Sequence, residues 1–296
     1  MKTFPRYISY FFALLITLQL NPVLAEEGKW LKPYVLASEQ AGKLSDAINA
    51  VKSKVNGSSF KIVGEYSPYK NAHVIGISSD ALQSAAAASK FGGYGAVVRV
   101  GITQVGDKVQ VAYVNPKWMS GMYRMKNDLS NVAAALKNTL GAKSKFGTAE
   151  LWAKDDLNEY HYTVFMPYFD DQLELAEYGS HADAVKAVEA GLAASKGGTS
   201  KVYRVDVQGK DEVLFGVAIK QDDGSDATVM GTTDVGDFKH TPHLPYEMLV
   251  SGNQVYALHG KFRIAQSFPD LTMTTFMKIS GAPDAIENSL KQAAGK

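Results

Sequence analysis

The side chains able to bind a metal or move a proton are few and fall in short clusters. No cysteine occurs among the 296 residues, which removes thiol nucleophiles, thiolate zinc, iron–sulfur clusters and c-type haem attachment. Met119, Met122 and Met125 stand three apart after Asn115-Pro116-Lys117-Trp118. Thioethers are soft ligands suited to Cu(I), and the same residues suit the filling of irregular gaps in an apolar core. His240 and His243 offer two imidazoles three residues apart, with Asp234 and Asp237 just upstream. That donor set fits a mixed nitrogen–oxygen metal site. Pro242 disfavours one helix across the pair, so a polar loop with solvated histidines explains the same residues.

The densest aromatic stretch is Tyr160-His161-Tyr162, followed by Met166-Pro167-Tyr168-Phe169-Asp170-Asp171. Aromatic bodies with polar tips line ligand pockets. If 160–166 is a strand, its side chains alternate between faces, so His161 points away from the faces of Tyr160 and Tyr162. His259 and Arg263 are expected beside Glu247 in the C-terminal strands, with Arg99 on the matching strand of the first half. A buried arginine facing an exchangeable anion makes an acid-binding pocket; an Arg–Glu pair within a sheet is the plainer reading.

The chain contains no Gly-Xaa-Ser-Xaa-Gly elbow, no phosphate-binding loop ending in Gly-Lys-Ser/Thr and no His-Glu-Xaa-Xaa-His. Gly92-Gly93-Tyr94-Gly95 reads as a turn. The expected role is a non-catalytic binding protein for a small molecule or a metal ion, copper among the candidates. Tyr160, His161, Tyr162, Met166, Tyr168, His259 and Arg263 are the candidate ligand residues. Met119, Met122, Met125, His240 and His243 are the candidate metal residues. One alternative is an enzyme of unfamiliar type with His161 or His259 as general base. Another is an assembly protein whose sheet edges receive a periplasmic partner.

The elements that must position these residues begin after a leader. Lys2 and Arg6 precede an apolar stretch over 8–20, and Val23-Leu24-Ala25 supplies the small residues a signal peptidase needs. Cleavage after Ala25 is expected, with a periplasmic or secreted product. Loss of Lys2 and Arg6 moves the formal net charge from +1 to −1. That balance gives no footprint for nucleic acid, and no second apolar stretch is long enough to span a bilayer.

Beyond the leader, 34–37 reads as a strand. A helix pattern follows Ser38, a plausible cap, with Ala41, Leu44, Ala47, Ile48, Val51 and Val55 at spacings of three and four. Strands are predicted at 60–66, 73–77, 96–102 and 109–114, with helices over 80–90 and around 129–140. The second half repeats this order. Its helix carries Ala184, Val185, Val188 and Leu192, its strands fall at 202–207, 213–219, 255–258 and 272–279, and a last helix begins at Pro283. The expectation is α+β: two similar two-layer units over 26–145 and 171–296, each an antiparallel sheet packed with helices in strand–helix–four strands–helix order. A segment over 146–170 links them.

Residues 80–140 resemble the domain of unknown function family numbered 302. The resemblance rests on Ala72-His73-Val74-Ile75-Gly76-Ile77 and Ala96-Val97-Val98-Arg99-Val100. It continues through Gly106-Asp107-Lys108-Val109-Gln110-Val111 and Asn115-Pro116 to the helix ending at Leu140. The runs Leu244-Pro245-Tyr246-Glu247 and Leu258-His259-Gly260-Lys261-Phe262-Arg263-Ile264-Ala265 look like a divergent second copy. The resemblance implies a two-layer α+β unit with an antiparallel sheet, and it carries over no catalytic residue.

Overall fold

Strand β1 (Tyr34–Ala41) opens the fold, and its last residues pair with Gln110, Val109 and Lys108. That pairing draws Ser38 into the ladder, so it does not cap the helix as its sequence suggests. The first helix, α1 (Leu44–Asn56), starts only after Gly42 and buries Ala47, Val51 and Val55, four residues apart along one face. The computed structural model describes residues 30–296; the expected leader and its cleavage point lie outside them.

The first unit continues through β2 (Lys61–Tyr66), β3 (Ala72–Ser78), α2 (Asp80–Ala88), β4 (Val98–Val105), β5 (Lys108–Val114), α3 (Pro116–Met122), α4 (Ser130–Leu140) and β6 (Ser144–Phe146). Its antiparallel sheet runs β2-β3-β4-β5-β1-β6. After the short α5 (Lys154–Asn158), the second unit comprises β7 (Leu173–Glu177), α6 (His181–Ala193), β8 (Thr199–Asp206), β9 (Glu212–Ile219) and α7 (Asp226–Thr233). It ends with β10 (Tyr246–Ser251), β11 (Gln254–Ala257), α8 (Gly260–Ala265), α9 (Met273–Lys278) and α10 (Ala282–Ala293). Its sheet runs β8-β9-β10-β11-β7, the same path as the first sheet without β6. Both carry a register shift at the matching place in the second strand, between Ile62 and Gly64 and between Lys201 and Tyr203. The fold is α+β.

Three local expectations are corrected. Residues 272–279 form α9, not a strand: Thr272 caps it by accepting the Thr275 N–H, and no strand lies alongside to pair it. Residues 160–166 form turns, because their backbone joins neither sheet and their rings bond to α8 and its following loop instead. His259 and Arg263 belong to no strand; His259 caps α8 and Arg263 lies within it.

Strand alternation gives each sheet one face for its own helices and one for the other unit. In β3, Ile75 and Ile77 join the first unit's core, whereas Val74 packs among second-unit residues. In β9, Val213, Phe215 and Val217 face their own helices, whereas Leu214 joins Leu249 and Tyr203 in the first unit's core. The connections before β4 and β10 cross reciprocally. The turn Gly92–Gly95 lies against β9 and β10, with the Gly93 N–H donated to Glu212 at 2.9 Å, and Thr241–His243 lies on β3, β4 and β5. Thr241 and Thr103 hydroxyls meet at 2.6 Å.

At the middle of this contact the Arg99 Nη1 donates to both carboxylate oxygens of Glu247, each at 3.0 Å, while its Nε donates to the Pro242 carbonyl, and neither side chain of the pair is more than 2% exposed. Burial works against the charged guanidinium, but the Glu247 carboxylate together with Tyr123 and Tyr203 outweighs it, so Arg99 stays protonated. Tyr203 donates to Glu247 at 2.7 Å, and its ring fills the space left by Gly76 and Gly216, where a Cβ would collide with it.

Candidate functional site

The segment between the units is held by its aromatic residues. Tyr160 donates its hydroxyl to the Ala265 carbonyl at 3.1 Å, and Tyr162 donates to the Leu271 carbonyl at 2.6 Å. Phe169 stacks on Tyr123 with ring centres 5.6 Å apart and also meets Tyr94 and Phe262. Asp170 pairs with Arg124 at 2.9 Å, and Asp171 accepts the Tyr168 N–H at 2.9 Å. With these residues turned inward or tied to the backbone, the remaining side chains of the segment face outward.

They wall a surface cleft of about 620 Å³ together with the start of α8. His161, Met166, Tyr168 and His259, four of the residues singled out in the sequence, line it, along with Phe165, Lys261 and Asp171. The His161 and Tyr168 rings lie 4.4 Å apart at an interplanar angle of 41°. Phe165 adopts a left-handed backbone, φ 68°, which turns its ring fully into solvent. The His259 Nδ1 accepts the Lys261 N–H at 3.2 Å, which leaves Nε2 to carry the ring proton. Burial, assisted by the Lys261 charge, lowers the pKa of this imidazole and keeps it neutral at neutral pH. The cleft thus combines an aromatic and thioether wall, the Lys261 ammonium, the Asp171 carboxylate and two imidazoles, of which His259 is held neutral. No serine or threonine lines it.

The other sequence candidates lie elsewhere. Tyr160 and Tyr162 anchor the wall from behind and do not line it. Arg263 is buried in the inter-unit contact, donating to the His243 and Pro245 carbonyls and to the Ser267 hydroxyl, with Glu247 at 3.9 Å. Its charge is met by protein groups, which leaves it no exchangeable anion to hold. Met119, Met122 and Met125 are each at most 3% exposed and pack in the first unit's core. His240 pairs with Asp234 at 3.1 Å and stacks on Phe268. His243 is fully buried with its Nε2 3.3 Å from the Tyr246 hydroxyl; burial and two arginine charges hold its pKa well below the usual value. Asp237 is exposed, apart from this pair. Among the described residues, no group of three or more His, Asp or Glu is placed to hold a metal ion.

Lys261, Phe165 and Val164 were not anticipated in the sequence. The signal was present in Val164-Phe165, two large apolar residues in a segment bracketed by Thr163 and Pro167, where exposure is the default. No family model, curated protein or solved structure matches this chain, so the resemblance to the domain family numbered 302 rests on the quoted residues alone.

Proposed function

We propose that this chain is an exported, non-catalytic binding protein, and that its cleft takes a small organic molecule with a flat apolar body and one anionic group. The observation that supports this most is the convergence of His161, Met166, Tyr168 and His259 on one cleft beside Lys261. Rings and a thioether offer contact area at little entropic cost, and the Lys261 ammonium orients an acid while the Asp171 carboxylate is held by the Tyr168 N–H. Two histidines without a lining serine, threonine or cysteine fit recognition better than covalent catalysis. Export places the cleft where ligands arrive from outside the cell.

Anilinonaphthalene sulfonate has this chemistry and fluoresces when it leaves water. Titration of residues 26–296 should give one saturable cleft site. The double substitution Tyr168→Ala with Lys261→Gln should weaken it by about tenfold or more, an affinity change of ~1.4 kcal/mol. Fluorescence that is unchanged in that variant would remove the cleft as a ligand site.

A further inference from the structure

A second, larger depression of about 970 Å³ lies on the far side of the first unit, between α4 and the edge of the sheet at β1 and β6. Its floor is apolar: Val35, Tyr113, Pro116 and Ala133, with Trp30 and Leu151 at the rim. Around that floor stand Lys32, Lys117, Lys137, Lys143 and Lys145, and no Asp or Glu lines it. In a chain whose acidic and basic residues nearly cancel, 30 against 31, the ammonium groups of Lys32, Lys117, Lys137 and Lys143 around one apolar hollow form a strong local field, with Lys145 engaged in an interaction of its own.

The lysines start from fixed backbone. The buried Asn115 holds two of them at once, donating its amide to the Lys32 carbonyl at 2.9 Å and accepting the Lys117 N–H at 3.2 Å. The Lys143 N–H donates to the Leu36 carbonyl at 2.7 Å, Lys145 pairs with Val35 in the β6 ladder, and Lys137 lies in the last turn of α4. Asp128, whose charge also reaches Lys117, is committed to the Ser130 N–H and hydroxyl at 2.9 and 2.7 Å. Positive ends are therefore carried from anchored points to the rim of a hollow whose floor is largely apolar.

We infer that this groove binds a phosphate-bearing amphiphile as a single molecule, its multiply charged head among the lysines and its apolar chain along the floor. One lysine would satisfy a carboxylate; several are matched by a group that carries close to two charges and three acceptor oxygens. The floor would be wasted on a bare ion. The site is separate from the cleft beside His161 and does not depend on it.

The test uses residues 26–296 and oleoyl lysophosphatidic acid below its micelle concentration, read by calorimetry. Saturable binding is expected, weakened by about tenfold or more for glycerol phosphate, which has the head without the chain, and for lysophosphatidylcholine, whose choline neutralises the head. Lys137→Gln with Lys143→Gln and Lys145→Gln, all exposed and so compatible with folding, should cut the affinity similarly, and added salt should weaken it further. Ala134→Trp, which fills the groove from an exposed helical position, should block binding without lowering the melting temperature. Absence of lysophosphatidic acid binding overturns the inference, as does affinity unchanged in the triple lysine variant. Glycerol phosphate binding as tightly as the lipid would overturn the amphiphile and identify a free phosphate compound as the occupant. Tyr168→Ala should leave every one of these values unchanged.

Discussion

β4 and β10 occupy the same place in their two sheets, and each sets its second residue opposite a glycine: Arg99 across from Gly76, Glu247 across from Gly216. One strand offers a guanidinium and the other a carboxylate. Two arginines or two glutamates at these positions would face each other as like charges in a water-free contact. The edge strand two places away differs in the complementary way: Gly64 in β2 leaves the backbone bare where Tyr203 in β8 fills the gap. Two units with the same strand path thus fit one another because they are not identical at the middle. The second unit supplies the ring and the acid, the first supplies the space and the base.

This complementarity breaks most completely at Glu247. It accepts both contacts from Arg99, accepts the Tyr203 hydroxyl and lies 3.9 Å from Arg263. Glu247→Gln leaves two buried guanidinium groups without a counter-charge, and the expected loss is about 3–5 kcal/mol in denaturant unfolding. Arg99→Met combined with Glu247→Met should cost less than Glu247→Gln alone, since the uncompensated charge is then Arg263 only. A double variant less stable than the single one would show that the pair stabilises through its own attraction and not by mutual cancellation.

The second helices of the two units sharpen the same comparison. Both open on Ser-Asp: Ser79 caps α2 ahead of Asp80, and Ser225 caps α7 ahead of Asp226. Asp80 is exposed, whereas Asp226 is 2% exposed against β2 of the other unit and accepts the Tyr66 hydroxyl at 2.8 Å. Burial raises the Asp226 carboxyl from 3.8 to about 7, against the opposing hydrogen bonds from Tyr66 and the Ile219 N–H. A folded-state value above the unfolded one gives stability that is complete below about pH 4 and is lost as pH rises through about 7. The change approaches ~4 kcal/mol at most. His243 acts in the opposite direction, because its lowered value makes its contribution fade as pH falls through the ordinary histidine range. The pH profile of Asp226→Asn, subtracted from that of the parent, isolates the first effect. A difference that stays flat between pH 4 and pH 7 would mean that the acid is solvated and that the inter-unit contact does not close over it.

How far these features are legible in the sequence depends on the range of the interaction that makes them. Helices α1, α2 and α6 and strands β1–β5, β8, β9 and β11 follow from local periodicity, as does the turn at Gly92-Gly93, whereas β6, β7 and β10 are not marked by it. The α9 segment misleads because Thr272, Met273, Thr274, Thr275 and Phe276 read as strand, while the Thr272 hydroxyl caps a helix that has no strand beside it. The linking segment misleads because its tyrosines bond to carbonyls more than 100 residues away. The Arg99–Glu247 pair spans 148 residues. Its two members were visible as residues, but their meeting depends on how two sheets face each other, which no local pattern encodes. Three of the cleft residues, His161, Met166 and Tyr168, were legible because side chains clustered in sequence also cluster at a loop, whereas His259 joins them from the start of α8.

Asp80 gives the smallest expected effect and the cleanest control. It stands in the first turn of α2, where a carboxylate meets the positive end of the helix dipole in water. Asp80→Asn should therefore cost under about 1 kcal/mol at low ionic strength, and less as salt screens the charge. The equivalent substitution at Asp226 should respond to pH and little to salt, because its carboxyl is enclosed by protein. The two variants differ only in which copy of one Ser-Asp helix start is changed. If Asp80→Asn matched Asp226→Asn in size and in pH dependence, the distinction would belong to the helix start itself. A small, salt-sensitive effect at Asp80 beside a large, pH-sensitive one at Asp226 assigns the difference to the other unit's tyrosine closing over one copy and not the other.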